Sequence, residues 1–162
     1  MLKLNNKISS TDTLKKNCFR WRFFGEKIVF TNGCFDIIHQ GHINYLIEAK
    51  KMGGKLIIGL NSDSSVQKNK GNSRPIQDEI SRAKILASLE FVDAVTIFKE
   101  QTPRKLIKNI RPDILIKGSD YLVHEIEGNE FVLSYGGIVK TIEITNNYST
   151  SKIIKKIVNG KE

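Results

Sequence analysis

Histidine is scarce in this chain: three in 162 residues, at positions 39, 42 and 124. Cysteine is scarcer, with only Cys18 and Cys34, and they form no close pair of the metal-binding kind. Two cysteines are too few for a disulfide scaffold, and a reducing, cytoplasmic setting is expected. Long apolar runs are also missing. Nothing approaches the ~18–20 residues that a membrane helix needs, and the start "MLKLNNKISS" has no apolar core of a signal peptide. No aromatic-basic repeat suggests a platform for single-stranded nucleic acid. Neither a nucleic-acid nor a membrane partner is therefore expected.

What the chain does have is positive charge. Lys and Arg number 26 against 17 Asp and Glu, a net charge of +9. That balance suggests anionic partners, a class that spans nucleic acid, acidic membrane and small phosphorylated molecules, and the number of lysines does not choose among them. Hydrophobic content is 40%, enough in a chain of this length to bury a proper core.

Apolar strands and amphipathic helices alternate along the sequence. Strands are expected at 27–32, 55–61, 93–98, 112–118 and 138–144. Helices are expected at 11–23, 41–54, 78–91, 102–110, 127–137 and 149–158, with Pro103 in a first turn where its missing N–H costs nothing. The polar stretch 62–77, "SDSSVQKNKGNSRPIQ", reads as a loop. The continuous apolarity of "KLIIGL" suits a strand covered on both faces. The expectation is an α/β fold: a Rossmann-like parallel sheet of about five strands flanked by helices on both faces. Residues 1–26 are expected to be a helical extension and 27–162 the domain proper. Ligands bind such sheets at the carboxyl ends of strands.

The strand ends are where the chemistry gathers. After the first strand comes "TNGCFDIIHQGH", which holds two of the three histidines. Gly33 lets the backbone turn, and Gly41 lets a ligand approach the next helix. The free N–H groups of that helix suit an anion, and His39 and His42 can donate hydrogen bonds to it. The bland alternative is one capping and one core histidine. Two histidines at this spacing could also ligate zinc, but no third and fourth ligands are evident, so no metal site is expected. After the second strand, Lys68, Lys70 and Arg74 sit where they could close over a polyphosphate. After the fourth comes "KGSDY", with Lys117, Gly118 and Asp120. After the last, Ser149, Thr150 and Ser151 could cap a helix, line an anion site, or both. Cys34 reads as a small filler.

These segments together, "TNGCFDIIHQGHINYL", "KNKGNSRP", "RAKILASLEFVDAV", "DILIKGSDY" and "YSTSKII", resemble the nucleotidyltransferases that carry an H-x-G-H motif and a late serine-threonine motif. Within that superfamily the chain is most similar to the adenylyltransferase domains of ADP-heptose synthases, in a stand-alone form. The likeness runs from Lys27 to the C-terminus. It implies transfer of AMP from ATP, with Mg²⁺, to D-glycero-β-D-manno-heptose 1-phosphate, and it implies a homodimer. It places His39, His42 and Lys70 at the chemistry. It places Thr31, Gly33, Phe35, Asp36 and Gly41 of the first motif around the nucleotide. Lys68, with Lys70, would approach substrate phosphates, Arg82 matches an arginine on the helix after the loop and is expected with Arg74 among the ATP-binding residues, Lys117, Gly118 and Asp120 would lie near the nucleoside, and Ser149, Thr150 and Ser151 over the β and γ phosphates. The sequence departs from the family pattern at Ser119 and Asn147, where glycines are usual, and at Ser151, where threonine is usual. The related glycerol-phosphate cytidylyltransferases have an arginine shortly before the late motif, and "IEITNNY" has none.

Overall fold

The computed structural model describes residues 6–143 and 148–160. Five strands, β1 (Ile28–Gly33), β2 (Lys55–Asn61), β3 (Ala94–Phe98), β4 (Ile114–Gly118) and β5 (Ile138–Ile142), form one sheet in the order β3-β2-β1-β4-β5. All four pairings are parallel. The helices are α1 (Thr11–Phe23), α2 (Gln40–Lys51), α3 (Asp63–Lys70), α4 (Glu79–Ser88), α5 (Arg104–Ile110), α6 (Asn129–Ser134) and α7 (Thr150–Val158), with a 3₁₀ turn at Val123–Glu125. This is the doubly covered parallel sheet expected from the sequence.

Side chains alternate across the sheet with the period of two that strands impose. Val29, Leu56, Ile58 and Ile114 pack on one face with Leu46 and Ala49 of α2 and Leu86 of α4. Ile28, Phe30, Ile57 and Leu115 pack on the other with Leu14 and Cys18 of α1, Leu106 and Ile110 of α5 and Val132 of α6. The N-terminal segment is thus built into the body: Ile8 bridges the β3 edge at Val95, and α1 covers one face. Burial pushes the Cys18 thiol up to about 11, so it is an inert apolar filler there. Gly54 fixes the turn into β2. Its φ is +78°, and a Cβ would sit 1.9 Å from the Lys27 carbonyl oxygen.

One element differs from the sequence reading. The stretch expected to be a loop from 62 to 77 begins with α3. Ser62 caps it by accepting from Ser65 N–H at 3.2 Å, Asp63 lies in the first turn, and Gly71 ends it with φ +89°. The helix is polar because it buries only Ser65 and Val66, so its periodicity is too sparse to read. The strand expected to reach Ile144 is described to Ile142, and Ile144 and Asn147 lie outside the described residues.

Candidate nucleotide-binding site

The strand order reverses direction between β1 and β4. At such a switch point the crossovers leave in opposite directions and open a crevice beyond the strand ends. A cleft of about 380 Å³ lies there, lined by Asn32 and Gly33 from the end of β1 and by Lys117 and Gly118 from the end of β4. Two helix N-termini, of α2 and α7, open onto it through His39, Gly41 and Ser149–Ser151. Their unpaired N–H groups make the cleft electropositive without any side chain.

The turn after β1 is tight. Phe35 has φ +44°, a left-handed conformation uncommon for a bulky residue, and its ring lies where a Cβ on Gly33 would come within 2.9 Å. Asp36 is 2% exposed and ties this turn to the loop beyond α3. It accepts from Arg74 Nε at 2.6 Å, from Ile76 N–H at 2.8 Å and from Gln77 N–H at 2.9 Å. Burial alone would raise its carboxyl, but the two amides and the guanidinium outweigh that and hold it below its ordinary value. Asp36 is therefore spent on the scaffold, and what it delivers to the cleft is Arg74. The Nη2 of Arg74 is buried with no partner among the described residues.

The two histidines do two jobs. His39 caps α2: its Nδ1 accepts from His42 N–H at 3.4 Å, which leaves the ring proton on Nε2. The rings of His39 and His42 stack with centroids 3.8 Å apart, and Phe35 closes the other side of His42 at 5.2 Å. Burial, and then the charges of His39 and Lys70, push His42 down to about 4. Burial lowers His39 as well. Both rings are neutral at pH 7 and can each donate one N–H. Nδ1 of His42 is also buried and without a partner among the described residues, a polar group held ready for one. Gly41 leaves the rings room: a Cβ there would stand 3.1 Å from the His39 ring and 3.2 Å from Tyr148 Cβ, tight contacts that a shift of a few tenths of an ångström in those side chains would relieve.

Two lysines complete the electrostatics. Lys70, at the last turn of α3, lines the cleft. Lys117 donates from Nζ to the carbonyl oxygen of Asn32 at 3.0 Å and to its Oδ1 at 3.3 Å, and lies 5.1 Å from the Tyr121 ring centre. Burial lowers its pKa, and the nearby Asp120 opposes that shift. On the facing side Ser149 caps α7 by accepting from Lys152 N–H at 3.1 Å, so the capping and the lining roles coincide. Thr150 Oγ1 donates to Ile37 O at 3.4 Å, joining α7 to the turn before α2.

Of the residues singled out from the sequence, the structure brings Gly33, Phe35, Asp36, His39, Gly41, His42, Lys70, Arg74, Lys117, Gly118, Asp120, Ser149, Thr150 and Ser151 to this one cleft. It does not bring Thr31, Lys68 or Arg82 there. Thr31 is fully buried, its hydroxyl 2.6 Å from that of Tyr45. Lys68 is exposed on the outside of α3. Arg82 is wholly buried and four of its five N–H donors are engaged within the protein: Nε on Gln77 O at 2.9 Å, Nη1 on Cys34 O and Asn61 O, and Nη2 on Asp63 at 2.6 Å. Phosphate has no access to it. Sequence reasoning missed Tyr45, Tyr121 and Tyr148, which also line the cleft. Tyr121 stood in the quoted "KGSDY" and Tyr148 beside the serine cluster, so adjacency to a motif was the available signal. Among the described residues no three His, Cys, Asp or Glu side chains cluster to hold a metal ion, and no helix is long and apolar enough to cross a membrane.

A second hollow of about 390 Å³ adjoins the first, and Cys34, Lys70, Lys117 and Tyr121 line both.

Residues 30–156 match the family described as cytidylyltransferase-like. The chain is 49% identical over 152 residues to the bifunctional protein HldE of Methylobacillus flagellatus, covering 94% of this chain and 31% of that protein. It is 50% identical over 151 residues to the HldE of Wolinella succinogenes, again covering 31% of the relative. The chain thus spans about a third of the length of these relatives. A solved lipopolysaccharide core biosynthesis protein from Thermoplasma volcanium superposes with a TM-score of 0.60 at 32% identity, covering 76% of this chain and 99% of that one. A pantoate-beta-alanine ligase from Francisella tularensis, solved with an ATP analogue and beta-alanine, shares the fold at 17% identity and a TM-score of 0.64, covering 94% of this chain and 78% of that one.

Proposed function

The chain belongs to the cytidylyltransferase-like family, and on that premise we propose that it transfers AMP from MgATP to D-glycero-β-D-manno-heptose 1-phosphate, releasing ADP-heptose and pyrophosphate. The observation that carries this reading is the convergence at one switch-point cleft of two helix N-termini, two neutral histidines, Lys70, Lys117 and Arg74. The choice of heptose is what the sequence resemblance implies, and the HldE relatives at 49–50% identity and the solved lipopolysaccharide core biosynthesis protein support it.

The reaction needs no general base. A sugar 1-phosphate oxygen, already anionic, attacks the α-phosphorus of ATP. A P–O bond forms, the bond from the α-phosphorus to its bridging oxygen breaks, and pyrophosphate leaves with that electron pair. No proton has to move. What must be overcome is repulsion between two anions and the growing charge on the leaving group, which positioned donors and cations meet. Neutral His39 and His42 donate N–H bonds to the phosphates, and the α2 and α7 N-termini hold the β and γ groups. Lys70 and Lys117 neutralise charge where the two substrates meet. Asp120 is the cleft carboxylate that would help hold an Mg²⁺ ion accompanying ATP, since Asp36 is committed to Arg74 and two amides, and the ion would supply further neutralisation of phosphate charge.

We place the enzyme in the cytoplasm, where ATP is supplied and Cys18 and Cys34 stay reduced. A homodimer is part of the reading: α7 buries no residue of its own and leaves Ile157 and Val158 more than 70% exposed, an apolar edge that a second copy would cover.

The deciding experiment supplies purified protein with heptose 1-phosphate and each of ATP, CTP, GTP and UTP, and measures pyrophosphate. Release with ATP is expected, and His42→Ala should lower kcat by ~10²–10³ at saturating MgATP. Release with CTP and glycerol 3-phosphate in its place, or a His42→Ala enzyme with unchanged kcat, refutes the reading.

A further inference from the structure

The outer side of α1 carries aromatic rings where a solvated helix would carry polar groups. Leu14, Cys18 and Trp21, at steps of four and three, turn inward onto the sheet. The opposite side holds Lys15, Lys16, Phe19, Arg20 and Phe23, all exposed, and Phe24 follows at the end of the helix. Phe19, Phe23 and Phe24 are 75%, 79% and 72% exposed, and the last two rings meet edge to face with centroids 5.4 Å apart. They cannot turn inward, because the helix is fixed on its other side. Arg22 Nη2 donates to Ile110 O at 2.8 Å and also to Arg111 O, and its Nε lies 3.8 Å from Asp113. Asp12, in the first turn, is the one acid of α1, and Glu26 beyond its end is paired with Lys55 at 3.4 Å. The neighbouring α5 contains no acid and exposes Lys108. The result is an apolar patch in a cationic frame, on a convex surface that belongs to neither hollow.

We propose that this face docks reversibly on an acidic phospholipid surface, the phenyl rings entering the interface and Lys15, Lys16 and Arg20 meeting the headgroup phosphates. The proposal is independent of the reaction in the cleft. The absence of a helix long enough to cross a bilayer, among the described residues, bears on spanning one. Lying against one asks only for an amphipathic face with basic residues around it. Charge decides the occupant. A second copy seated on this patch by two-fold symmetry would set the cations of each α1 against those of the other. The rings expose roughly 450 Å², about half of the ~800 Å² per partner that a stable protein interface buries. An acidic bilayer needs no such area, because each lysine or arginine adds its own attraction to the partition of the rings. The helix is already folded on the sheet, so docking carries none of the ordering cost that a free peptide meets. Because α1 ends at Phe23 and β1 starts at Ile28, the Phe23–Phe24 end of the patch sits at the amino edge of the sheet. The length of β1, roughly 20 Å, separates that edge from the cleft, which stays open to solvent while the patch is covered.

The experiment sediments the protein with vesicles of phosphatidylcholine alone and of phosphatidylcholine mixed equally with phosphatidylglycerol. Wild type is expected to bind the acidic vesicles about tenfold or more tightly than the neutral ones, and added salt should weaken that binding. Phe19→Gln with Phe23→Gln should weaken it about tenfold, and Lys15→Gln, Lys16→Gln and Arg20→Gln together by at least as much. All five positions are exposed and glutamine is a good helix former, so the thermal midpoint should stay where it was. Absence of binding to either vesicle overturns the assignment, as does equal binding to both compositions. Binding to acidic vesicles that survives the phenylalanine changes overturns it too, and assigns the attraction to the net charge of the whole chain. Light scattering covers the remaining occupant: a phenylalanine variant that falls from dimer to monomer, with no vesicle binding by wild type, gives the face to a second copy instead.

Discussion

Arg82 offers the sharpest contrast between what the motif suggested and what the fold does with it. The side chain is fully buried, and its guanidinium ties together Cys34 after β1, Asn61 at the end of β2, Gln77 before α4, and Asp63 at the start of α3. Arg82→Met keeps the length of the stem and removes the fork. It strands three carbonyl oxygens and leaves Asp63, with about a third of its side chain exposed, to water. Removing one partner of a buried pair costs about 3–5 kcal/mol, and each lost bond from a charged donor about 1.5–3 kcal/mol before relaxation. Solvent reaching Asp63 trims the sum, so about 3–4 kcal/mol is expected. For a chain of this size each 1 kcal/mol shifts Tm by roughly 2–4 °C, giving a fall of about 6–16 °C. Urea unfolding followed by circular dichroism measures it. Arg82→Lys should recover little, since one ammonium cannot span four acceptors in a fixed plane. A loss below about 1 kcal/mol accompanied by a tenfold or greater rise in KM for ATP would return Arg82 to the phosphates and refute the structural assignment.

Gly41→Ala should separate helix stability from ligand binding. Ala is favoured over Gly within a helix by about 0.8–1.0 kcal/mol, so Tm should hold or rise. The new Cβ, however, meets the His39 ring at 3.1 Å and Tyr148 at 3.2 Å, so nucleotide affinity measured by calorimetry should fall about tenfold or more. A pH titration of stability should report His42. Its folded pKa, about 4, lies below the ordinary 6.5, so the unfolded chain binds the extra proton first. Its contribution is complete above pH 6.5 and is lost as the pH falls towards 4, and His42→Asn should show a shallower acid decline than wild type in urea midpoints. Equal declines would mean that the ring is open to solvent.

The opening motif was legible because its parts are contiguous. Strand, glycine turn, paired histidines and helix follow one another within fifteen residues, and local chemistry names each role. Strand β2 was readable for the same reason, since its middle, Leu56 to Leu60, is a continuous buried run with no polar side chain. Helix α3 was harder because it shows the core little beyond Ser65 and Val66, although its cap, Ser62 followed by Asp63, was visible in the sequence. Arg82 was misjudged because a charged residue in a motif reads as a ligand, and the convergence of carbonyl oxygens from three separate segments leaves no local trace.

The amino-acid order by itself determined the alternation of strands and helices, the positions of the caps and glycine turns, and the anion-binding character of the strand ends. Each depends on residues within a few positions of one another. Only the tertiary structure decided which of those ends share a cleft, that Asp36 and Arg82 hold walls together, and that a second hollow shares Lys70 and Lys117 with the first. Those outcomes follow from the strand order β3-β2-β1-β4-β5, which brings together groups far apart in the chain, and pairwise proximity of that kind is a property of packing.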